Sequence, residues 1–92
     1  MPRAVLLAPA AAKDLDALPP DRRDQVLDDI AAYGANPTAA RARVKQLRGF
    51  KPPLLRLRSG DYRVLFRAVG EQLHVYRIID RKDLERALRR LR

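Results

Sequence analysis

The sequence predicts an α+β fold built from one N-terminal strand, an antiparallel helical hairpin, a three-stranded antiparallel meander and a C-terminal helix. Apolar residues recur at helical spacing through the first third of the chain, whereas they alternate with charged residues between positions 54 and 79. Seven prolines and four glycines stand mostly between these periodic segments. We therefore expect one domain spanning residues 1–92, whose sheet has about four mostly antiparallel strands.

The N-terminal third predicts a strand and two helices. Residues 3–7 form a short apolar run suited to a strand, and Pro9 opens a helix whose apolar residues are three or four positions apart. Pro19 and Pro20 end this helix because proline cannot continue a helical hydrogen-bond ladder. A second helix over residues 21–33 is predicted to bury one face, which carries Val26, Leu27, Ile30 and Tyr33.

The remainder of the chain predicts the sheet and a last helix. Residues 38–46 have a weak pattern that allows a short turn of helix. Segments 54–58, 62–68 and 73–79 alternate in polarity and predict strands, joined by tight turns at residues 59–61 and around Gly70. A helix beginning at Lys82 carries an apolar stripe of Leu84, Leu88 and Leu91.

Charge is distributed very unevenly along the chain. Residues 1–40 hold four Lys/Arg against six Asp/Glu, whereas residues 41–92 hold sixteen against five, which accounts for the net charge of +9. Basic groups that neutralise phosphates release counterions and so supply salt-sensitive affinity for nucleic acid. The second half is therefore predicted to face a polyanion, although abundant arginine also serves as an ordinary solvated surface.

Composition excludes several classes of function. The chain has no cysteine, so disulfides, thiolate metal sites and cysteine nucleophiles are impossible. The apolar run at residues 4–12 is interrupted by Pro9 and is too short to span a membrane. The aspartate pairs at 14/16 and 28/29 lie on predicted helix surfaces without a nearby histidine, which disfavours a metal site. We expect a cytoplasmic protein that needs no metal or cofactor and does not bind membranes.

Strand periodicity predicts a working surface. Side chains alternate between faces, so Tyr62, Val64 and Phe66 are expected to share a core face with Leu55 and Leu57. The opposite face then presents the arginines of two neighbouring strands together. Guanidinium groups bind phosphate through paired hydrogen bonds and stabilise charge that develops on phosphate oxygens. The predicted phosphate-binding surface consists of Arg56, Arg58, Arg63 and Arg81.

Two sequence stretches resemble the RelE/ParE toxin superfamily. LRGFKPPLLRLRSGDYRVLFRA is similar to the family's approach segment and central hairpin, and LHVYRIIDRKDLE is similar to its last strand. With the N-terminal strand and helices in the expected order, the resemblance covers essentially the whole chain. It implies a type II toxin that enters the ribosomal A site and cleaves mRNA without a metal, and a cognate antitoxin that forms a hetero-oligomer with it.

The resemblance also implies roles for individual residues. Arg63 matches the arginine that stabilises the transition state, and Arg81 matches the arginine proposed to protonate the leaving oxygen. Arg56 and Leu54 stand where relatives have lysines, and Glu85 stands where relatives have a base-stacking aromatic residue. The predicted catalytic residues are therefore Arg56, Arg63 and Arg81. The predicted RNA-binding residues are Lys45, Arg48, Lys51, Arg58, Lys82 and Glu85.

The general base and the target stay open at the sequence level. Arginine remains protonated far above neutral pH, so Arg56 suits an electrostatic clamp better than a proton acceptor. Other candidates for the base are His74, Lys45, Lys51, Lys82 and Glu85, and Tyr62 and Tyr76 could stack on bases. Because the family's lysine and aromatic positions differ, two alternatives remain: a ParE-like inhibitor of DNA gyrase without nuclease activity, or a weakened RNA-binding member.

Overall fold

The computed structural model describes residues 3–91, which form a five-stranded sheet in the order β1-β5-β4-β3-β2. Strand β1 pairs in parallel with β5, and all other neighbours are antiparallel. The α+β class is confirmed. The elements are β1 (Ala4–Leu7), α1 (Pro9–Asp16), α2 (Pro20–Ala35), β2 (Val44–Leu47), β3 (Leu54–Ser59), β4 (Tyr62–Val69), β5 (Gln72–Asp80) and α3 (Leu84–Leu91).

Helices α1 and α2 cover one face of the sheet. Both begin with proline in the first turn, where the missing N–H costs no intrahelical hydrogen bond. Their apolar residues join the strands in the main core, which contains Ala11, Leu15, Val26, Ile30, Leu57, Val64, Phe66, Leu73, Val75 and Ile78. Leu27 was predicted to lie on the buried face, but it is exposed. A step of one residue turns a helix by about 100°, so Leu27 cannot share the direction of Val26.

The sheet has one more strand than the sequence predicts. Residues 41–43 form a single 3₁₀ turn, which agrees with the expected short turn of helix, but Val44–Leu47 then form strand β2. Val44 lies opposite Leu57, and Lys45 lies opposite Arg56. Only four residues pair, too few for alternation to stand out in the sequence. The partner strand β3 supplies the hydrogen bonds that fix this segment.

The three predicted strands form the expected meander, with two local departures. Gly60 and Gly70 both have φ of +57° in the turns between strands, a region that a side chain disfavours. Leu65 pairs with Arg77 whereas Phe66 pairs with Val75, so Tyr76 is an extra residue in β5. This irregularity changes the alternation of β5 but leaves that of β3 and β4 intact.

Helix α3 builds a second core on the opposite face of the sheet. Leu88 packs with Leu54, Leu65 and Ile79, and all four are buried. Leu65 alternates with Val64 and Phe66, so it lies on the face predicted as the working surface, and α3 covers this part of that face. The predicted start at Lys82 falls in a 3₁₀ turn, Arg81–Asp83, that leads into the helix. Within the described residues, no helix has both the length and the apolar character needed to span a membrane.

Asp14 ties α1 to the part of β5 that β1 does not reach. Strand β1 pairs with residues 72–75, and beyond them the Ile78 N–H donates to Asp14 Oδ2 at 2.9 Å. Arg77 donates to the same carboxylate through Nε at 2.7 Å and Nη2 at 3.2 Å. The hydrogen bond to Asp14 raises the pKa of Arg77 above its ordinary value. One acidic side chain therefore closes the exposed end of this strand edge.

A buried polar network joins α2 to the end of β3. The Asp29 carboxylate accepts hydrogen bonds from Ser59 Oγ at 2.6 Å, from Gln25 Nε2 at 3.0 Å and from Arg43 Nη1 at 3.0 Å. Asp29 is only 8% exposed and Ser59 only 2% exposed. Because Ser59 immediately precedes the β3–β4 turn, this network fixes the turn against α2.

Candidate functional site

Arginines from three parts of the sheet meet at one end of it. Arg58 of β3 lies directly opposite Arg63 of β4, and directly opposed residues project from the same face. Arg56 stands two residues before Arg58 and shares that face. Arg81 follows β5 and is held near the β3–β4 turn, because its backbone N–H donates to the Asp61 carbonyl at 2.8 Å. The structure thus brings together all four residues of the predicted phosphate-binding surface.

Arg63 is the best anchored of these arginines. Its Nη1 donates to the carbonyls of Gly60 and Tyr62, both at 2.9 Å. Burial lowers its pKa, and the charges of Arg56, Arg58 and Arg81 lower it further, with Asp61 acting in the opposite direction. These three neighbours are therefore close enough to repel its charge. Such repulsion is relieved when an anion binds among the cations.

Little negative charge within the protein balances this cluster. Arg81 Nε lies 3.8 Å from Asp61 Oδ1, and both side chains are about two-thirds exposed, at 66% and 64%. In the described part of the chain, neither Arg56 nor Arg58 forms an ion pair or a side-chain hydrogen bond. An exposed ion pair contributes little to stability and yields readily to a competing phosphate. We name Arg56, Arg58, Arg63 and Arg81 the arginine cluster.

Besides Arg58, the predicted RNA-binding residues lie on β2, in the loop before β3 and around the start of α3. Lys45 lies opposite Arg56 in register, and Lys82 adjoins Arg81 in sequence, so both border the arginine cluster. Glu85 is exposed in the first turn of α3. Arg48 and Lys51 occupy the loop before β3. Their loop enters β3 at Leu54, two residues before Arg56 and four residues before Arg58.

The remaining candidate side chains are engaged elsewhere. His74 lies opposite Arg67, away from the arginine cluster, with its Nε2 3.0 Å from Gln72 Oε1. Tyr76 packs against the second core, and Arg67 stacks over its ring at 5.4 Å. Tyr62 packs against the main core. None of these three residues adjoins the arginine cluster as an acid–base or stacking group.

Two features of the site escape sequence reasoning. Lys45 joins the working face only because β2 pairs with β3, and that pairing has no clear signal in the sequence. Asp61 is the acidic partner of Arg81, yet in the sequence it reads as an ordinary turn residue. Among residues 3–91, no group of three His, Asp or Glu side chains is placed to hold a metal ion. The arrangement favours binding of a phosphodiester through cations.

Arg58→Gln is expected to raise stability at low salt. Like charges directly opposite on neighbouring strands oppose folding by about 0.2–1 kcal/mol, and Arg58 is exposed, so little packing is lost. The lowered pKa of Arg63 agrees in sign: the folded state binds this proton less tightly than the unfolded chain, so the charge opposes folding at all pH values below that pKa. Thermal melts at low and high salt measure the gain, which should shrink as salt screens the repulsion.

Arg77→Gln is the matched control for this prediction. Arg77 is held by Asp14 and its pKa is raised, so its replacement should lower stability. A lower melting temperature for Arg58→Gln at low salt would contradict the interpretation that the cluster is repulsive.

Comparisons with known proteins agree with this fold. A sequence model described as the ParE toxin of the type II toxin–antitoxin system parDE matches residues 5–85. A search of curated proteins finds no significant match.

Several solved structures are similar to this chain in fold. A chain of the archaeal RelE–RelB complex from Pyrococcus horikoshii has a TM-score of 0.72 and 24% identity, over 88% of this chain and 97% of that one. The toxin–antitoxin complex RelBE2 from Mycobacterium tuberculosis gives 0.71 and 25%, over 87% and 99%. The isolated E. coli RelE toxin gives 0.65 and 19%, over 98% and 99%.

Proposed function

Because this chain belongs to the ParE toxin family of the RelE/ParE superfamily, and is thus a toxin of a type II toxin–antitoxin system, we propose that it stops translation by cleaving mRNA on the ribosome. In the proposed reaction, the 2′-hydroxyl of one nucleotide attacks the adjacent phosphorus. The bond to the 5′ oxygen breaks, which leaves a 2′,3′-cyclic phosphate and a 5′-hydroxyl. Side chains alone assist both steps.

The observation that carries this proposal is the convergence of four arginines on one open face. Attack on the phosphorus adds negative charge to the non-bridging oxygens, and preorganised cations stabilise that charge more than they stabilise the ground state. Arg63 is suited to this task because two backbone carbonyls orient its guanidinium. Arg56 and Arg58 carry no competing carboxylate among the described residues and can bind the same phosphate or its neighbour.

We assign Arg81 to the leaving 5′ oxygen. Its backbone is fixed by Asp61, whereas its side chain is exposed and its ion pair is loose at 3.8 Å. It can therefore turn toward the leaving oxygen and donate a hydrogen bond as charge develops there. Lys82 and Glu85 flank the neighbouring nucleotides in this proposal, and Arg48 and Lys51 contact RNA farther from the scissile phosphate.

A cognate antitoxin is the supported protein partner. The similar solved structures include toxin–antitoxin complexes from two archaea and two bacteria. We propose that the antitoxin covers the arginine cluster with acidic groups, since binding a cationic face through complementary charge also accelerates association.

Purified protein added to a cell-free translation reaction should cut mRNA at the ribosomal A site. Primer extension locates the new ends, and a parallel reaction without ribosomes provides the control. The cuts should vanish in that control, because positioning of the scissile nucleotide by the ribosome supplies much of the catalysis. Intact mRNA in the presence of a folded protein that arrests growth would contradict the proposal.

The second candidate function is inhibition of DNA gyrase by protein–protein contact. The description of the matching family model favours it, and so does the presence of Leu54, Arg56 and Glu85 where RelE-like relatives carry lysines and an aromatic residue. A supercoiling assay separates the two functions. Loss of supercoiling at protein concentrations that leave ribosome-bound mRNA intact would support the gyrase target.

A further inference from the structure

We infer that Lys45 is the proton acceptor for the attacking 2′-hydroxyl, an inference that rests on the proposed ribonuclease function. In this step the amine of Lys45 takes the 2′-hydroxyl proton while the bond between the 2′ oxygen and phosphorus forms. The bond from phosphorus to the 5′ oxygen breaks, the electron pair stays on that oxygen, and water returns a proton to it. The step requires no metal, oxidant or reductant.

The pairing of β2 with β3 places Lys45 in the site. Lys45 lies directly opposite Arg56, and Arg56 is one of the charges that lower the pKa of Arg63. Core packing fixes the face independently of the charges. Val44 packs against the main core and Leu47 against the second core, so Lys45 must project from the face that carries Leu47. That is the face of the arginine cluster.

The distances suit a shared phosphodiester. Neighbouring strands lie about 4.8 Å apart, so the two strand steps and two-residue offset from Lys45 to Arg63 correspond to a Cα separation of about 12 Å. Two long side chains that extend from the same face can approach one nucleotide across that gap. Arg56 lies on the strand between them, opposite Lys45, and its charge acts on Arg63.

The chemistry of the neighbouring groups singles out Lys45. A guanidinium keeps its proton at any pH in use, whereas a lysine ammonium gives up its proton more readily and can act as a base. Asp61 forms an exposed ion pair with Arg81, and His74 lies opposite Arg67 outside the cluster. Lys82 and Glu85 follow β5, which is three strands away from β2 in the sheet. No carboxylate within residues 3–91 forms an ion pair with Lys45. On β3 and on the 3₁₀ turn of residues 41–43, which both pack against β2, the charged side chains are all cations: Arg41, Arg43, Arg56 and Arg58.

Arg56 stands at the same level as Lys45 on the neighbouring strand, but its guanidinium keeps its proton and cannot accept another. Lys45 is the cross-strand neighbour of that position. Directly opposite side chains have Cβ atoms about 4.5–5.5 Å apart, so an amine can serve the same nucleotide from either strand.

Lys45→Arg separates the role of a base from that of a charge. It keeps the cation but removes the releasable proton, so the single-turnover rate of mRNA cleavage on ribosomes should fall by about 100-fold or more. Co-sedimentation with ribosomes should be unchanged. The wild-type rate should rise over about pH 6 to 9, and Lys45→Arg should lose that rise. Lys13→Arg, an exposed lysine on α1, is the matched control and should cleave as the wild type does.

Placing a lysine at position 56 of the neighbouring strand provides a second test of this assignment. The double variant Lys45→Arg with Arg56→Lys keeps the number of cations constant. It should cleave at least about tenfold faster than the Lys45→Arg single variant. If Lys45→Arg cleaves within about threefold of wild type while Lys45→Gln is inactive, the residue acts only through its charge and the inference is overturned. Absence of cleavage by the wild-type protein would instead overturn the proposed function itself.

Discussion

Arg63→Ala and Arg81→Ala should each lower ribosome-dependent cleavage by about 100- to 1,000-fold. Arg63 loses a guanidinium that Gly60 and Tyr62 hold in place, and Arg81 loses the group assigned to the leaving oxygen. The fold should survive, because Arg63 is only partly buried and the ion pair of Arg81 is loose and exposed. Primer extension on translating ribosomes gives the rate, and growth arrest on induction gives the cellular result.

Arg41→Ala is the control for this pair. Arg41 is exposed in the 3₁₀ turn before β2 and borders a shallow depression with Tyr33 and Leu55, on the side of the main core. The Arg41→Ala substitution removes the same charge outside the arginine cluster, so cleavage should persist. Wild-type cleavage by folded Arg63→Ala and Arg81→Ala proteins would overturn the assignment of the site.

Asp29→Ala should destabilise the protein by about 3 kcal/mol, because it leaves Arg43 and the buried hydroxyl of Ser59 without their shared acceptor. In a domain of this size such a loss lowers the melting temperature by roughly 12–24 °C. Chemical denaturation followed by circular dichroism measures the free energy of unfolding. Cleavage should weaken only in proportion to the folded fraction, since the Asp29 carboxylate is buried and accepts from Ser59 and Arg43 rather than from Arg63 or Arg81.

The neighbouring aspartate offers a matched control. Asp28 is exposed on the same helix, and Asp28→Ala should change stability by less than about 0.5 kcal/mol. Asp29→Asn keeps the size of the side chain but removes its charge, and should fall between the two. Equal stability of the Asp28→Ala and Asp29→Ala proteins would show that the buried network contributes nothing.

The parts of this molecule that follow a local period could be predicted from the sequence. Alternation along β3 and β4 gives both the core residues Leu57, Val64 and Phe66 and the arginines of the opposite face. The packing of α3 over Leu65 could not be predicted in this way, because alternation along a strand shows which side chains share a face but not which element packs on that face. That packing depends on the path of a later helix.

Pairings between residues far apart in the sequence explain the other differences between the predicted and the observed structure. Strand β2 is defined by its partner β3, and it alone brings Lys45 beside Arg56. The bond from Ser59 to Asp29 joins residues thirty positions apart. Helical spacing places Asp29 on the face of Val26 and Tyr33, but it does not give the partner of its carboxylate, which lies on a distant strand. The predicted RNA-binding residues Arg48 and Lys51 stand in the loop between β2 and β3, and the path of that loop cannot be read from the charge of its residues.

The alternation of leucine and arginine along β3 also affects how the chain selects its own strand pairing. A slip of β3 by one residue against β4 would reverse the two faces of β3 and turn Arg56 and Arg58 into the main core, while Arg63 of β4 would stay outside it. Each buried, unpaired guanidinium would cost several kcal/mol, far more than the hydrogen bonds of a shifted ladder could return. The arginines of β3 that are proposed to bind RNA therefore also disfavour the wrong register of the sheet during folding. Replacing them together would remove this energetic penalty as well as the activity.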